Sequence, residues 1–168
     1  ILGHALFEAS YTKSINYLRY FIDDAVLFVL HNNQKYNNVS FVGHSGGAWS
    51  GVHICAALKK HVKKCFLSSG VMPLDIRVSA GDRNIGDAEQ ISHVINNSFP
   101  VTSAILGMEG LVDIMLYFDV NDPCCFNGAS PILFEEKMKA LGGKSKFVIK
   151  SEGRHGFPKE LVKQFILD

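Results

Sequence analysis

The chain has 168 residues, 47 % hydrophobic and 20 % charged, with a net charge of +1 at pH 7. That length suits one domain, residues 1–168, with a sizeable core. The near-zero charge leaves no footprint for nucleic acid or an anionic membrane surface. The apolar run in the first helix, residues 25–30, falls far short of the roughly 20 residues a membrane-spanning helix needs. The expected partner is therefore a small molecule, and a homo-oligomer stays open.

The chain starts Ile1-Leu2-Gly3-His4, with neither an initiating Met nor a basic leader segment. This points to a cut edge and to an N-terminally shortened sequence. Cys55, Cys65, Cys124 and Cys125 have no metal-site spacing and no dense disulfide pattern. They read as reduced thiols of a cytoplasmic protein. The adjacent Cys124-Cys125 pair reads as ordinary loop, with redox activity as the alternative, because nothing near it in sequence lowers a thiol pKa.

In chain order, residues 14–32 form the first predicted helix, with Ser14 as N-cap and Ile15, Leu18, Ile22, Val26 and Val29 at helical spacing. Asn32-Asn33 and Tyr36-Asn37-Asn38 break it. Residues 39–42 are a short buried strand, and a helix over 46–60 buries Val52, Ala56 and Leu58. Lys59, Lys60, Lys63 and Lys64 read as its solvated end, favoured by the helix dipole, rather than as a binding patch. Residues 65–68 are the second strand, closed by Gly70. The Pro- and Gly-punctuated stretch 71–112, with short helices near 87–95 and 101–106, reads as a lid or cap more than as core. Residues 114–118 are the third strand, ending at Asp119. A helix over 130–141 opens with Ser130-Pro131, a cap followed by a good first residue. Residues 146–149 are the fourth strand, and Pro158 opens a terminal helix through Leu167.

Strands alternating with helices predict a mainly parallel sheet covered on both faces, whose reactive groups gather at the carboxyl ends of the strands. Gly43-His44-Ser45-Gly46-Gly47 follows the first strand and opens a helix. This is the setting in which a tight strand–turn–helix elbow presents a serine as nucleophile. A serine hydroxyl needs a base, and the base needs a third group to hold its tautomer. The third strand runs into Asp119-Val120-Asn121-Asp122-Pro123, and the fourth into a loop carrying Gly153-Arg154-His155-Gly156. The order Ser45, Asp122, His155 is that of an α/β-hydrolase, an α/β fold whose first strands are missing here. Asp119, at the strand end, competes with Asp122 as the acid. Asp113 lies at the wrong end of the strand. His44 is expected to point its ring away from Ser45, His53 to be packed in the helix, and His4, His61 and His93 to be surface or structural.

These segments resemble the kynurenine formamidase (arylformamidase) family. Gly-His-Ser-Gly-Gly-Ala at 43–48 is similar to that family's Gly-His-Ser-Ala-Gly-Ala elbow. Leu67-Ser68-Ser69-Gly70-Val71 with Leu74-Asp75 is similar to the segment after its next strand. Asp87-Ala88-Glu89-Gln90 through Asn97-Ser98-Phe99-Pro100 resembles its Asp-Ala-Gln…Asn-Ser-Pro stretch, with Phe99 interposed. Asp122-Pro123-Cys124-Cys125-Phe126 occupies the place of its Asp-Ser-Pro-Glu-Phe, which favours Asp122 over Asp119. Gly153-Arg154-His155-Gly156-Phe157 stands where the family has Asp-His-Phe, with one residue inserted. The resemblance covers most of residues 14–167. It implies hydrolysis of N-formyl-L-kynurenine to kynurenine and formate, in tryptophan breakdown, without metal or organic cofactor. The implied roles are Ser45 as nucleophile, His155 as base, Asp122 as orienting acid and the Gly46 N–H as oxyanion donor. General esterase activity is the neighbouring expectation.

The family's upstream His-Gly-Gly, which adds oxyanion-hole N–H groups, occurs nowhere in this chain. Residues 1–7 supply at most a remnant of one earlier strand. Loss of one oxyanion donor typically lowers turnover by about 10²–10³, so a catalytically impaired hydrolase-like domain is the rival expectation. The elbow strand is also expected to carry an unpaired apolar edge.

Overall fold

The computed structural model describes residues 18–36, 38–81, 90 and 93–168. Ser14, Ile15 and residues 1–7 lie outside them, as does most of the first predicted helix of the 71–112 stretch. The elements are α1 (Arg19–Asn32), β1 (Val39–His44), α2 (Gly46–Ala57), β2 (Val62–Ser68), α3 (Leu74–Ser79), α4 (His93–Ser98), α5 (Val101–Leu106), β3 (Asp113–Asp119), α6 (Ser130–Ala140), β4 (Lys146–Lys150) and α7 (Lys159–Leu167).

The four strands pair in parallel in the order β1-β2-β3-β4. Their register sets His44 opposite Ser68, Ser68 opposite Tyr117, and Asp119 opposite Lys150. The loops that follow β1, β2, β3 and β4 therefore leave the sheet along one edge. Alternation along the strands divides the core in two. Cys65, Leu67, Ile114, Leu116 and Phe118 face Ala48, Val52, Ile105, Phe134 and Met138 from α2, α5 and α6. Phe66, Met115 and Tyr117 face the opposite way, under Leu161, Val162 and Phe165 of α7. Both faces of the inner strands are apolar, as a doubly covered parallel sheet requires.

Four expectations are corrected. Lys63 and Lys64 belong to β2, not to a solvated helix end, and Lys64 Nζ donates to Phe165 O at 2.9 Å, fastening α7 across the sheet. Lys59 Nζ donates to Gly107 O at 3.0 Å. The stretch 71–112 is more than a lid, since Val71, Met72, Ile76, Val101, Ile105, Met108 and Val112 join the main core. Its prolines and glycines delimit short helices whose apolar sides still face the sheet. Ser130 is the first residue of α6 rather than its cap, a position held by Ala129. Finally, Cys55 and Cys65 form a disulfide joining α2 to β2, with both residues fully buried. That pairing is at odds with four reduced, cytosolic thiols; Cys124 and Cys125 are the free pair. No described helix is long and apolar enough to cross a membrane.

Candidate active site

Ser45 links β1 to α2 with φ 53° and ψ −126°, a sparsely populated conformation for a residue with a side chain. Such a conformation costs on the order of 1–3 kcal/mol and persists only where the surroundings over-determine it. Here the determinants are identifiable. Ser45 N–H donates to Ser68 O at 2.8 Å, tying the elbow to the end of β2. A Cβ on Gly43 would stand 2.5 Å from Gly47 O, and one on Gly70 would stand 1.9 Å from Ser45 O. Both positions must therefore be glycine for the strand, the turn and the β2 loop to close together. Gly46 is the first residue of α2, so its N–H has no carbonyl one turn back and lies at the positive end of the helix dipole.

Beyond β3, Asp122 is buried and both its oxygens are engaged. Oδ2 lies 2.6 Å from His155 Nδ1, while Oδ1 accepts from the N–H groups of Cys124 at 2.8 Å and Cys125 at 3.3 Å. The Asn127 side chain donates to Asp122 O at 2.6 Å and closes the loop. Asp119 has a different task. Its Oδ1 accepts from Asn121 N–H at 2.9 Å, and its Oδ2 from Glu152 N–H at 3.1 Å and Arg154 N–H at 3.2 Å. Burial pushes this carboxyl up, but the backbone N–H groups of Asn121, Arg154, Gly153 and Glu152 together outweigh it and hold the pKa below the usual range. Of the two competing carboxylates, Asp122 meets the histidine, and Asp119 anchors the loop that carries it.

His155 is part-buried, with a side chain 23 % exposed, so one side of the ring remains open to solvent. Asp122 and His155 are thus brought into direct contact. The hydrogen bond from Ser45 Oγ to His155 is not formed here; such contacts often tighten only around substrate. The neighbouring His44 packs its ring against His155. Its ring centroid lies 4.7 Å from that of His155 and 6.0 Å from Phe157, and its Nδ1 is 3.2 Å from Ser68 Oγ. Burial, reinforced by the charge of His155, lowers the His44 pKa. The alternation of β1 could have found it, because His44 shares a face with Val42, opposite Phe41.

Other candidates fall outside this cluster. His53 is buried in α2 against Trp49, with ring centroids 5.1 Å apart, and burial lowers its pKa to about 4. His61 lies in the turn before β2, His93 belongs to α4, and His4 lies outside the described residues. The Cys125 thiol is pushed far up by burial and by its neighbour Cys124. Arg77 of α3, fully buried, stacks 4.5 Å from the Phe126 ring and braces the Asp122 loop from the 71–112 side.

Solved structures share this layout of parallel strands and strand-end loops. A candidate dipeptidyl aminopeptidase IV of Bacteroides ovatus superposes with a TM-score of 0.59 at 12 % identity, over 86 % of this chain and 21 % of its own. The acylaminoacyl peptidase of Pyrococcus horikoshii gives 0.60 at 14 % identity, over 92 % and 27 %. A carboxylesterase structure from the thaumarchaeon Nitrososphaera gargenis gives 0.53 at 11 % identity, over 89 % and 70 %. The chain has the α/β-hydrolase fold. It spans about a fifth and a quarter of the two peptidases. No protein-family model matches the sequence, and comparison with curated proteins gives no relative. Within an α/β-hydrolase fold, the elbow after β1 and the loops after β3 and β4 are the positions where nucleophile, acid and base are sought.

Proposed function

We propose that this chain is a serine hydrolase domain of the arylformamidase type, with Ser45, His155 and Asp122 as its triad. The observation that carries the reading is the 2.6 Å contact between buried Asp122 and His155, on the sheet edge where the strained Ser45 elbow also emerges. In this mechanism Ser45 Oγ attacks the carbonyl carbon of an N-formyl aryl amine, and His155 takes the hydroxyl proton. Asp122 accepts the Nδ1–H, which fixes the tautomer and stabilises the imidazolium. The Gly46 N–H donates to the developing oxyanion. Collapse breaks the C–N bond, and His155 returns the proton to the departing amine. Water, activated by the same imidazole, then releases formate from the serine ester. N-formyl-L-kynurenine is the substrate that the family resemblance favours, and an activated ester fits the same machinery.

The carboxylesterase among the similar structures, of which the chain covers 70 %, supports the ester as a second reading. The test is steady-state hydrolysis of N-formylkynurenine beside p-nitrophenyl acetate by the protein and by Ser45→Ala, Asp122→Asn and His155→Ala. Ser45→Ala and His155→Ala should fall to background, and Asp122→Asn by roughly 10⁴. Near-normal turnover in Ser45→Ala ends the serine-hydrolase reading. Ester-only activity that depends on Ser45 moves it from formamidase to esterase.

A further inference from the structure

The loop that holds Asp122 also gathers a second set of groups. Because the N–H groups of Cys124 and Cys125 both donate to Asp122 Oδ1, these two residues share one tight turn, which Phe126 closes at φ 58°. Their sulfurs lie 2.6 Å apart. Cys124 Sγ, Cys125 Sγ and a ring nitrogen of His155 all fall within 4.8 Å of one another. Two thiolates and an imidazole make a donor set suited to Zn²⁺ and softer divalent ions. His155 moreover carries the partner that metal-binding histidines usually have, a carboxylate on its ring.

We propose that Cys124, Cys125 and His155 form a site for a thiophilic divalent cation, Zn²⁺ or Cd²⁺, whose occupation switches off the hydrolytic centre. Binding exchanges the two thiol protons, released to solvent, for two metal–sulfur bonds. A tetrahedral ion with metal–sulfur bonds of about 2.3 Å needs its sulfurs roughly 3.8 Å apart. Cys124 is exposed and can swing outward by the required distance of about 1 Å, leaving the fourth position to water. Either ring nitrogen of His155 then becomes unavailable for catalysis. On Nε2 the ion takes the lone pair that would receive the Ser45 proton. On Nδ1 it displaces Asp122. The inhibitory half of this proposal rests on His155 being the base; the binding half does not.

The experiment titrates the purified protein with Cd²⁺ and follows the thiolate-to-cadmium charge-transfer absorption. A fluorophosphonate probe reads Ser45 on the same samples, each variant compared with its own metal-free rate. One ion per chain should bind, labelling should fall as the band rises, and chelation should restore it. Cys124→Ser, at an exposed position, should weaken binding by more than about 100-fold. The Cys124→Ser/Cys125→Ser double variant, which keeps Cys55 and Cys65, should lose both the band and the metal sensitivity. Equal binding by the double variant, or no band in the parent protein, overturns the site. A band that tracks the two cysteines with undiminished labelling overturns the switch. If the metal-free protein is never labelled while the band still tracks the cysteines, the Ser45 reading fails and the cation site stands.

Discussion

His44 ends the strand before the Ser45 elbow, His53 lies in the helix after it, and burial lowers the pKa of both. His53 gives the more direct consequence. It is buried in α2, and its Nε2 has no hydrogen-bond partner among the described residues, so protonation would place a charge between Trp49 and Phe99 that none of them compensates. The folded-state pKa of about 4 lies below the unfolded value near 6.5, so the unfolded chain binds more protons between the two. Stability is therefore full above about pH 6.5, falls as pH drops toward 4, and loses up to roughly 3 kcal/mol. His53→Gln should flatten that slope. Urea midpoints at pH 7.5 and 4.5 check it, and an unchanged slope in the variant would assign the acid lability elsewhere.

Among elements, the β2 end governs the Ser45 elbow. Gly70 is on no catalytic list that chain order would produce, yet a Cβ there would lie 1.9 Å from Ser45 O and 2.8 Å from Ala48 Cβ. Gly70→Ala should displace the elbow while leaving the sheet intact, and a misplacement near 1 Å lowers turnover by about 10²-fold. Unchanged circular dichroism with a loss of that size in Ser45 labelling is the expected result; full labelling would show that the loop relaxes at no cost. This contact also explains what the sequence could and could not say. Apolar runs broken by Asn, Pro and Gly make all four strands legible, and their alternation with helices makes the parallel sheet so. The start of β2 is hidden because Lys63 and Lys64 look like a helix end, while Lys64 in fact lies along the sheet and donates to α7. Chain order makes the Asp122–His155 pairing readable. The Gly70 contact and the Cys55–Cys65 bond each join segments whose approach is set by packing, and no local pattern encodes it.

For the molecule as a whole, the sheet places its elbow strand at the margin. Among the described residues β1 pairs only with β2, and Val42 on that strand is 37 % exposed. Tyr20, Leu27, Phe28 and Leu30 of α1 and Tyr36 after it are exposed as well. A strand margin with exposed apolar side chains favours pairing with another chain, and the expected outcome is self-association as the concentration rises. Val42→Lys places a charge on that strand and should shift sedimentation velocity profiles toward the monomer. Identical profiles for parent and variant would remove β1 as the contact.

Asp119 ends β3, and its grip has a bearing on which substitutions the domain tolerates. It holds the His155 loop through the main-chain N–H groups of Glu152 and Arg154, groups that every residue except proline supplies. The side chains at 152 and 154 are then free to drift, and their own ion pair is exposed and adds little. In a randomised library selected for Ser45 labelling, positions 152 and 154 should return nearly every residue but proline, whereas position 119 should return aspartate almost alone. Recovery of many residues at 119 would show that the loop holds its shape without that anchor. Divergent sequences can thus keep one geometry, because the information sits in a single carboxylate and not in the letters of the loop it holds.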